Sequence, residues 1–241
     1  PGSADQFNSI QEKLLSVFER LEPKIHRDMY FASVGDSIED RGTVQYLQDI
    51  AEQAGIRTRY LSIEDIGVDS LGQFVDLNDR PIDYIFKLYP WEFMFEDQFS
   101  TYLAASSATW FEPPWKSILS NKGMLPLLWE LHPDHPNLLP AFFEAPNAEP
   151  LSPGWVRKPF FSREGANIEI SVPGGEKLRV DGPYTDAPFI RQAFHALPRF
   201  GDAYTVIGSW VIGDEPAGIG IREDATLITK DTSRFLPHIL Y

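Results

Sequence analysis

The sequence contains no cysteine, which excludes disulfides, Cys–zinc sites and thiol nucleophiles. It has no apolar run near the roughly 18–20 residues that a membrane-spanning helix needs. Nothing at its start reads as a signal peptide, and a soluble, cytoplasmic protein without a membrane partner is expected. Cations are scarce: 21 Lys and Arg stand against 35 Asp and Glu, a formal net charge of −14. Non-specific nucleic-acid binding needs a cationic footprint, so a nucleic-acid partner is not expected. Local cationic pockets for small anions remain compatible with this balance. The five histidines (His26, His132, His135, His195 and His238) show no metal-ligand spacing. A Gly-x-Ser-x-Gly elbow and a Walker lysine are both missing, which removes support for those hydrolase and NTPase classes. What is present is a chain of 241 residues, 43% hydrophobic and 13% aromatic. That suffices for a sizeable core in one large domain or two small ones. Its first residue is Pro1, so a processed chain, a cloned piece or the ordered part of something longer is expected.

Hydrophobic periodicity divides the chain into two textures. Phe7, Ile10, Leu14, Val17, Phe18 and Leu21 recur at helical spacing behind Asp5, a candidate N-cap. The run 29–34 suits a buried strand, 40–54 is helical with Gly55 as its stop, and 56–61 reads as a second strand. Strand–helix–strand with tight punctuation is a βαβ unit, which implies parallel strands. Asn78-Asp79 predicts a small hairpin, and 84–88 a third strand. After Pro113-Pro114 the pattern changes. A helix over 121–131, interrupted by Pro126 and capped by Asn121, precedes a proline-rich connection. Strands are then predicted over 155–160, 167–172, 177–180, 189–195, 204–212, 216–221 and 226–229, with a hairpin turn at Gly213-Asp214. Strands in succession indicate antiparallel sheets.

The segment Lys158-Pro159-Phe160-Phe161-Ser162-Arg163-Glu164-Gly165-Ala166-Asn167 is the richest in chemistry. A lysine on an apolar strand followed by a small-residue loop can neutralise phosphate and fold backbone N–H groups over it. A surface hairpin with a solvated lysine is the competing reading. Lys122 is a second cation at a predicted helix start, or simply an exposed helix lysine. Arg222 ends a strand beside Glu223 and Asp224, where it can clamp a phosphate or form a structural ion pair. Glu39 and Asp40 follow the first strand of the βαβ unit, where open α/β sheets bind ligands. They suit a cationic group such as an amine, or the N-terminus of the next helix.

Five motifs in order carry a resemblance over nearly the whole chain. They are Lys87-Leu88-Tyr89-Pro90-Trp91-Glu92, Glu112-Pro113-Pro114-Trp115, Ser120-Asn121-Lys122, the segment 158–167, and Gly218-Ile219-Gly220-Ile221-Arg222-Glu223-Asp224. Together they resemble the glutathionylspermidine synthase family, most closely its bacterial single-domain branch of acid–amine ligases. The resemblance implies an ATP-grasp enzyme that joins a small-molecule or peptide carboxylate to an amine through an acyl phosphate, using ATP and Mg2+. The implied fold is α/β plus α+β: a pre-ATP-grasp α/β domain followed by an ATP-grasp domain with antiparallel sheets. The expected boundaries are 1–28 for an N-terminal helix, 29–112 for the α/β domain and 113–241 for the grasp domain.

By similarity, Lys122 and Lys158 match the lysines that contact ATP phosphates, and Arg163, Glu164 and Gly165 match the loop that covers them. Gln192, Ala193, Phe194 and His195 match the adenine-binding strand. Leu227, Ile228 and Thr229 match a further nucleotide contact. Arg222 matches a catalytic arginine near the transferred phosphoryl group, and Glu39 and Asp40 match an acidic pair at the substrate site. Lys122, Lys158 and Arg222 are therefore expected to converge on one cleft.

Two departures stand out. Phe93 replaces a small hydroxyl residue at a substrate contact, and Asp40-Arg41 replaces Glu-Asn. Both speak against glutathione and spermidine themselves. The family's magnesium ligands have no equivalent in residues 1–241, so the chain is expected to be the C-terminal two-thirds of such an enzyme and inactive alone. A non-catalytic nucleotide- or peptide-binding module on the same fold is the alternative.

Overall fold

The computed structural model describes residues 5–240. The chain divides into two compact units. The first comprises Asn8–Ser117 together with Trp210–Gly218; the second comprises Pro1–Phe7, Ile118–Ser209 and Ile219–Tyr241.

The first unit is built on a parallel sheet. Its elements are helix α1 (Ile10–Leu21), strand β1 (Met29–Ser33), helix α2 (Ile38–Gln53), strands β2 (Thr58–Ser62), β3 (Gly67–Val68), β4 (Phe74–Val75) and β5 (Tyr84–Leu88), helix α3 (Trp91–Glu96) and strand β6 (Thr109–Phe111). The main sheet runs β2-β1-β5-β6 with every pairing parallel. All five residues of β1 are buried, as expected for a strand covered on both faces. Alternation sends Met29 and Phe31 to the side where Phe18, Val44 and Ile50 pack. Tyr30 and Ala32 go to the opposite side, with Phe74, Ile85, Trp91 and Trp110. The predicted hairpin is present: Val75 bridges Pro81, and Asp76 Oδ1 accepts from Asn78 N at 2.8 Å and Arg80 N at 3.0 Å.

Helix α1 begins later than its spacing suggests. Its N-cap is Ser9 rather than Asp5, which bridges Leu240 instead. Helix α2 is capped by Ser37, whose Oγ accepts from Asp40 N at 3.2 Å. Glu39 and Asp40 occupy its first turn, where carboxylates complement the positive end of the helix dipole. Ser37→Ala is expected to cost about 1 kcal/mol. Urea unfolding would measure this, and an unchanged midpoint would show that the cap bond contributes nothing.

The second unit is mainly antiparallel. It follows helix α4 (Ser117–Ser120) with helix α5 (Met124–Leu131) and strands β7 (Ala141–Phe143), β8 (Trp155–Pro159), β9 (Glu169–Ser171), β10 (Lys177–Arg179), β11 (Phe189–Ala193), β12 (Arg199–Phe200), β13 (Ala203–Ile212), β14 (Glu215–Asp224) and β15 (Arg234–Leu236). One sheet runs β10-β9-β8-β11-β7 and the other β12-β13-β14-β15. Gly213 and Asp214 both have positive φ (58° and 67°) between β13 and β14, the backbone that a tight hairpin turn demands. The hairpin tip groups with the first unit, where Lys13 Nζ lies 2.8 Å from Glu215 Oε2.

Three sequence expectations need correction here. Helix α5 starts at Met124 with Gly123 as N-cap and no side-chain cap bond, so Asn121 does not cap it. Pro126 falls at its third position, where the backbone N–H has no helical partner to lose, and does not interrupt it. Residues 226–229 are not a strand: Asp224 Oδ1 accepts from both Thr226 N and Thr226 Oγ1 at 2.8 Å, and Ser233 Oγ donates to Asp224 Oδ2 at 2.6 Å. These local bonds fold the segment into a turn instead of a ladder.

Candidate functional site

The second unit holds a cavity of about 360 Å³, within the range of small-molecule sites. Period-two geometry in the β8–β11 sheet creates its floor. Val156 pairs with Gln192 and Lys158 with Ile190, and directly opposed residues share a face. Ile170 pairs with Val156 and joins them. Val156, Lys158, Ile170 and Gln192 therefore line the cavity. The alternate residues Arg157 and Arg191 take the other face, where both donate to Glu144.

Lys158 Nζ donates to Gln192 Oε1 at 2.7 Å. Gln192 is 9% exposed. Burial depresses the Lys158 pKa below the usual lysine value. Its partner is neutral, so the amide orients the ammonium without cancelling its charge. Lys122 approaches from the turn before α5. Its backbone N donates to Phe160 O at 2.8 Å, and its Nζ donates to Ser162 Oγ at 3.1 Å and to Ser162 O. Both lysines line the cavity.

Gly165 supplies the edge of the loop. Glu164 and Gly165 have φ of 55° and 75°, and Ala166 N donates to Arg163 O at 2.9 Å. This is a tight turn needing two left-handed residues. A Cβ on Gly165 would lie 2.7 Å from both Ile228 Cγ2 and Thr229 O. The missing side chain therefore lets the 163–166 turn close onto the 227–229 segment.

Of the residues singled out from sequence, Lys122, Lys158, Gly165, Gln192, Ala193, Phe194, His195, Leu227, Ile228 and Thr229 all line this one cavity. Arg163 and Glu164 sit in the same turn but do not line it. Arg222 does not line it either, which corrects the expected convergence of three cations. Arg222 Nη2 donates to Lys230 O at 2.8 Å, and its guanidinium lies 4.9 Å from the Phe235 ring centre. The strand pairing of Arg222 with Phe235 places those side chains on one face. Glu39 and Asp40 belong to the other unit. Sequence reasoning missed Leu139 and Leu197 as lining residues. Both lie in proline-rich connections where no periodicity marks a face. Val156, Ile168 and Ile170 were legible in principle, because each shares strand parity with a cavity residue.

Among the described residues no group of three His, Cys, Asp or Glu could hold a metal ion. No helix among them is long and apolar enough to cross a membrane.

The profile of the glutathionylspermidine synthase pre-ATP-grasp family matches residues 1–241. The chain is 39% identical over 246 aligned residues to a protein of Haemophilus influenzae named "Putative acid--amine ligase", covering 97% of this chain and 62% of that protein. It is 31% identical to the trypanothione synthetase of Crithidia fasciculata, covering 84% of this chain and 34% of that protein. It is 28% identical to the bifunctional glutathionylspermidine synthetase/amidase of Escherichia coli, covering 84% and 37%. The chain thus spans between about one third and three fifths of these relatives' lengths. A glutathione synthetase-like effector from Globodera pallida, solved in its apo form, has a similar fold. It aligns at a TM-score of 0.55 with 9% identity, over 95% of this chain and 61% of that one. The parallel α/β unit, the antiparallel unit and the full-length profile match agree, and the chain belongs to the glutathionylspermidine synthase pre-ATP-grasp family.

Proposed function

We propose that this chain is part of an ATP-dependent carboxylate–amine ligase, with its second unit acting as an ATP-grasp domain that holds the nucleotide in the 360 Å³ cavity. The observation that carries this reading is the pairing of two lysines with an apolar pocket. Lys158 and Lys122 present donors for phosphate oxygens, while Val156, Ile170, Phe194 and Ile228 offer the surface that a purine ring needs. Bound ATP supplies the phosphoryl group that activates the carboxylate. Lys158, oriented by Gln192, and Lys122, anchored through Ser162, hold the polyphosphate as fixed point charges. The turn 163–166 covers it, and residues 192–195 with 227–229 enclose the base.

Arg222 keeps, by similarity, the role of a cation for the transferred group; it lies outside the cavity lining, so it would have to leave the Lys230 carbonyl to meet the phosphoryl oxygens. Glu39 and Asp40 serve the substrate side, on the α/β unit. Magnesium, when bound, would neutralise phosphate charge in such a reaction, and among the described residues no group of three His, Cys, Asp or Glu is gathered to hold it.

The 241-residue chain alone is accordingly expected to bind ATP, yet release no phosphate in an amine-dependent way. Calorimetry with ATP, followed by a phosphate-release assay with peptides and polyamines, tests both halves. Absence of ATP binding would overturn the nucleotide assignment. Amine-dependent phosphate release above a no-enzyme control would overturn the inactivity.

A further inference from the structure

The loop that carries the 163–166 turn is tied at both ends to one neighbouring segment. That segment, 181–188, joins β10 to β11 and contains no strand or helix. Two prolines, Pro183 and Pro188, restrict its backbone. At the entry to the 160–167 loop, Phe160 N donates to Pro188 O at 2.9 Å. At its exit, Asn167 Oδ1 accepts from Tyr184 N at 2.9 Å, across 17 residues of sequence. All these residues belong to the second unit.

Asn167 has φ of 54°, in the left-handed region, and is 9% exposed. Asparagine tolerates that backbone better than most residues, because its short carboxamide can bond to nearby main chain. Here the carboxamide oxygen instead takes a main-chain donor from a distant segment. The two segments approach closely. A Cβ built on Gly182 would lie 2.6 Å from Asn167 Oδ1 and 2.7 Å from Ala166 Cβ. Gly182 has no positive φ, so what glycine supplies there is room for the loop. The residues on either side of Asn167 close the turn: Ala166 N donates to Arg163 O at 2.9 Å and Ile168 N to Gly165 O at 3.3 Å. A turn held at its exit before a ligand arrives loses less conformational freedom on binding.

We propose that Asn167 is a positioning residue: through Tyr184 N it holds the 163–166 turn in the shape that meets the nucleotide's phosphates. Asn167 itself does not line the cavity. The role toward phosphates rests on the nucleotide reading, whereas the tie between Asn167 and the 182–184 segment does not. Loss of the tie frees the turn. It leaves the base pocket in place, because Ile228 packs there with Val156, Ile168 and Ile170. The effect is therefore expected on a ligand that carries phosphates and not on adenosine.

Asn167→Gly removes the acceptor and leaves a residue that takes positive φ freely. Hydrogen exchange of the full chain without nucleotide is expected to show the Ala166 and Ile168 amides exchanging at least tenfold faster in this variant. Asn167→Asp keeps an acceptor for Tyr184 N and is expected to retain the slow rate. Calorimetry is expected to show ATP bound at least fivefold more weakly by Asn167→Gly, with adenosine affinity unchanged. Gly182→Ala, whose methyl would press on Asn167 and Ala166, is expected to act in the same direction. Unchanged amide exchange in Asn167→Gly would overturn the tie. Unchanged ATP affinity, or ATP and adenosine weakened by the same factor, would overturn the positioning role, since a general loss of structure does not distinguish the two ligands. A wild-type chain that binds neither ligand would overturn the nucleotide reading and the role with it, while the exchange rates still decide the tie.

Discussion

Replacing Lys158 with alanine is expected to weaken ATP binding by about 2–3 kcal/mol, roughly 30- to 150-fold in Kd. Lys158 lines the cavity, and among the described residues its hydrogen-bond acceptor is the neutral side chain of Gln192, at 2.7 Å. A cation held this way keeps its charge for a ligand anion. The fold is expected to survive. The variant loses the bond to Gln192 but also loses the cost of holding a charge in an apolar surround, and the two effects oppose each other. The pH dependence has a defined sign. Burial lowers the Lys158 pKa in the free chain, and a bound polyphosphate raises it again. ATP affinity should be full below the free-chain value. It should fall as pH rises from that value toward the bound one, then level off. Lys158→Ala should flatten this fall. Calorimetry at several pH values measures both effects, and wild-type affinity in the alanine variant would remove Lys158 from the site.

The second large effect is expected at Gly165. An alanine there must hold φ near +75°, at roughly 1 kcal/mol or more for a non-glycine residue. Its Cβ would also lie 2.7 Å from Ile228 Cγ2 and from Thr229 O, a separation that real contacts do not sustain. One contact is backbone, so the turn and the 227–229 segment must part. Ile228 and Thr229 line the cavity with Gly165, so the distortion falls on the nucleotide site itself. We expect Gly165→Ala to lower ATP affinity more than tenfold and Tm by roughly 4–10 °C. Gly174→Ala provides the control. Its φ is +104°, yet no atom lies within 4 Å of its Cβ position. It should show a backbone penalty alone and bind ATP normally. Equal ATP affinity in the two variants would show that the close approach at Gly165 has no part in the site.

Much of this protein was legible in its residues. Apolar runs at 29–33 and 84–88, the first buried throughout and the second buried at alternate residues, specify parallel strands together with the amphipathic helix between them. Alternation over 155–159 and 189–193, with Gly213-Asp214 at a turn, specifies antiparallel pairing. Ten cavity residues were identifiable, Lys122, Lys158 and Gly165 from short motifs and the seven in 192–195 and 227–229 only through the family resemblance that those motifs carry.

Other features were decided only by the tertiary structure. The sequence treats Lys122, Lys158 and Arg222 alike, as cations beside polar loops. Register separates them: Lys158 faces the cavity with Val156 and Gln192, whereas Arg222 faces Phe235 and bonds the Lys230 carbonyl. The sequence also shows a strand at 226–229, since apolar and β-branched residues dominate it. Asp224 overrides that preference by capturing Thr226, two residues on, and Ser233, nine residues on, just before the chain pairs back as β15. Local propensity and period determine which elements form and which face each residue takes. Which faces meet, and therefore which charges share a pocket, is set by pairing between residues far apart in the chain.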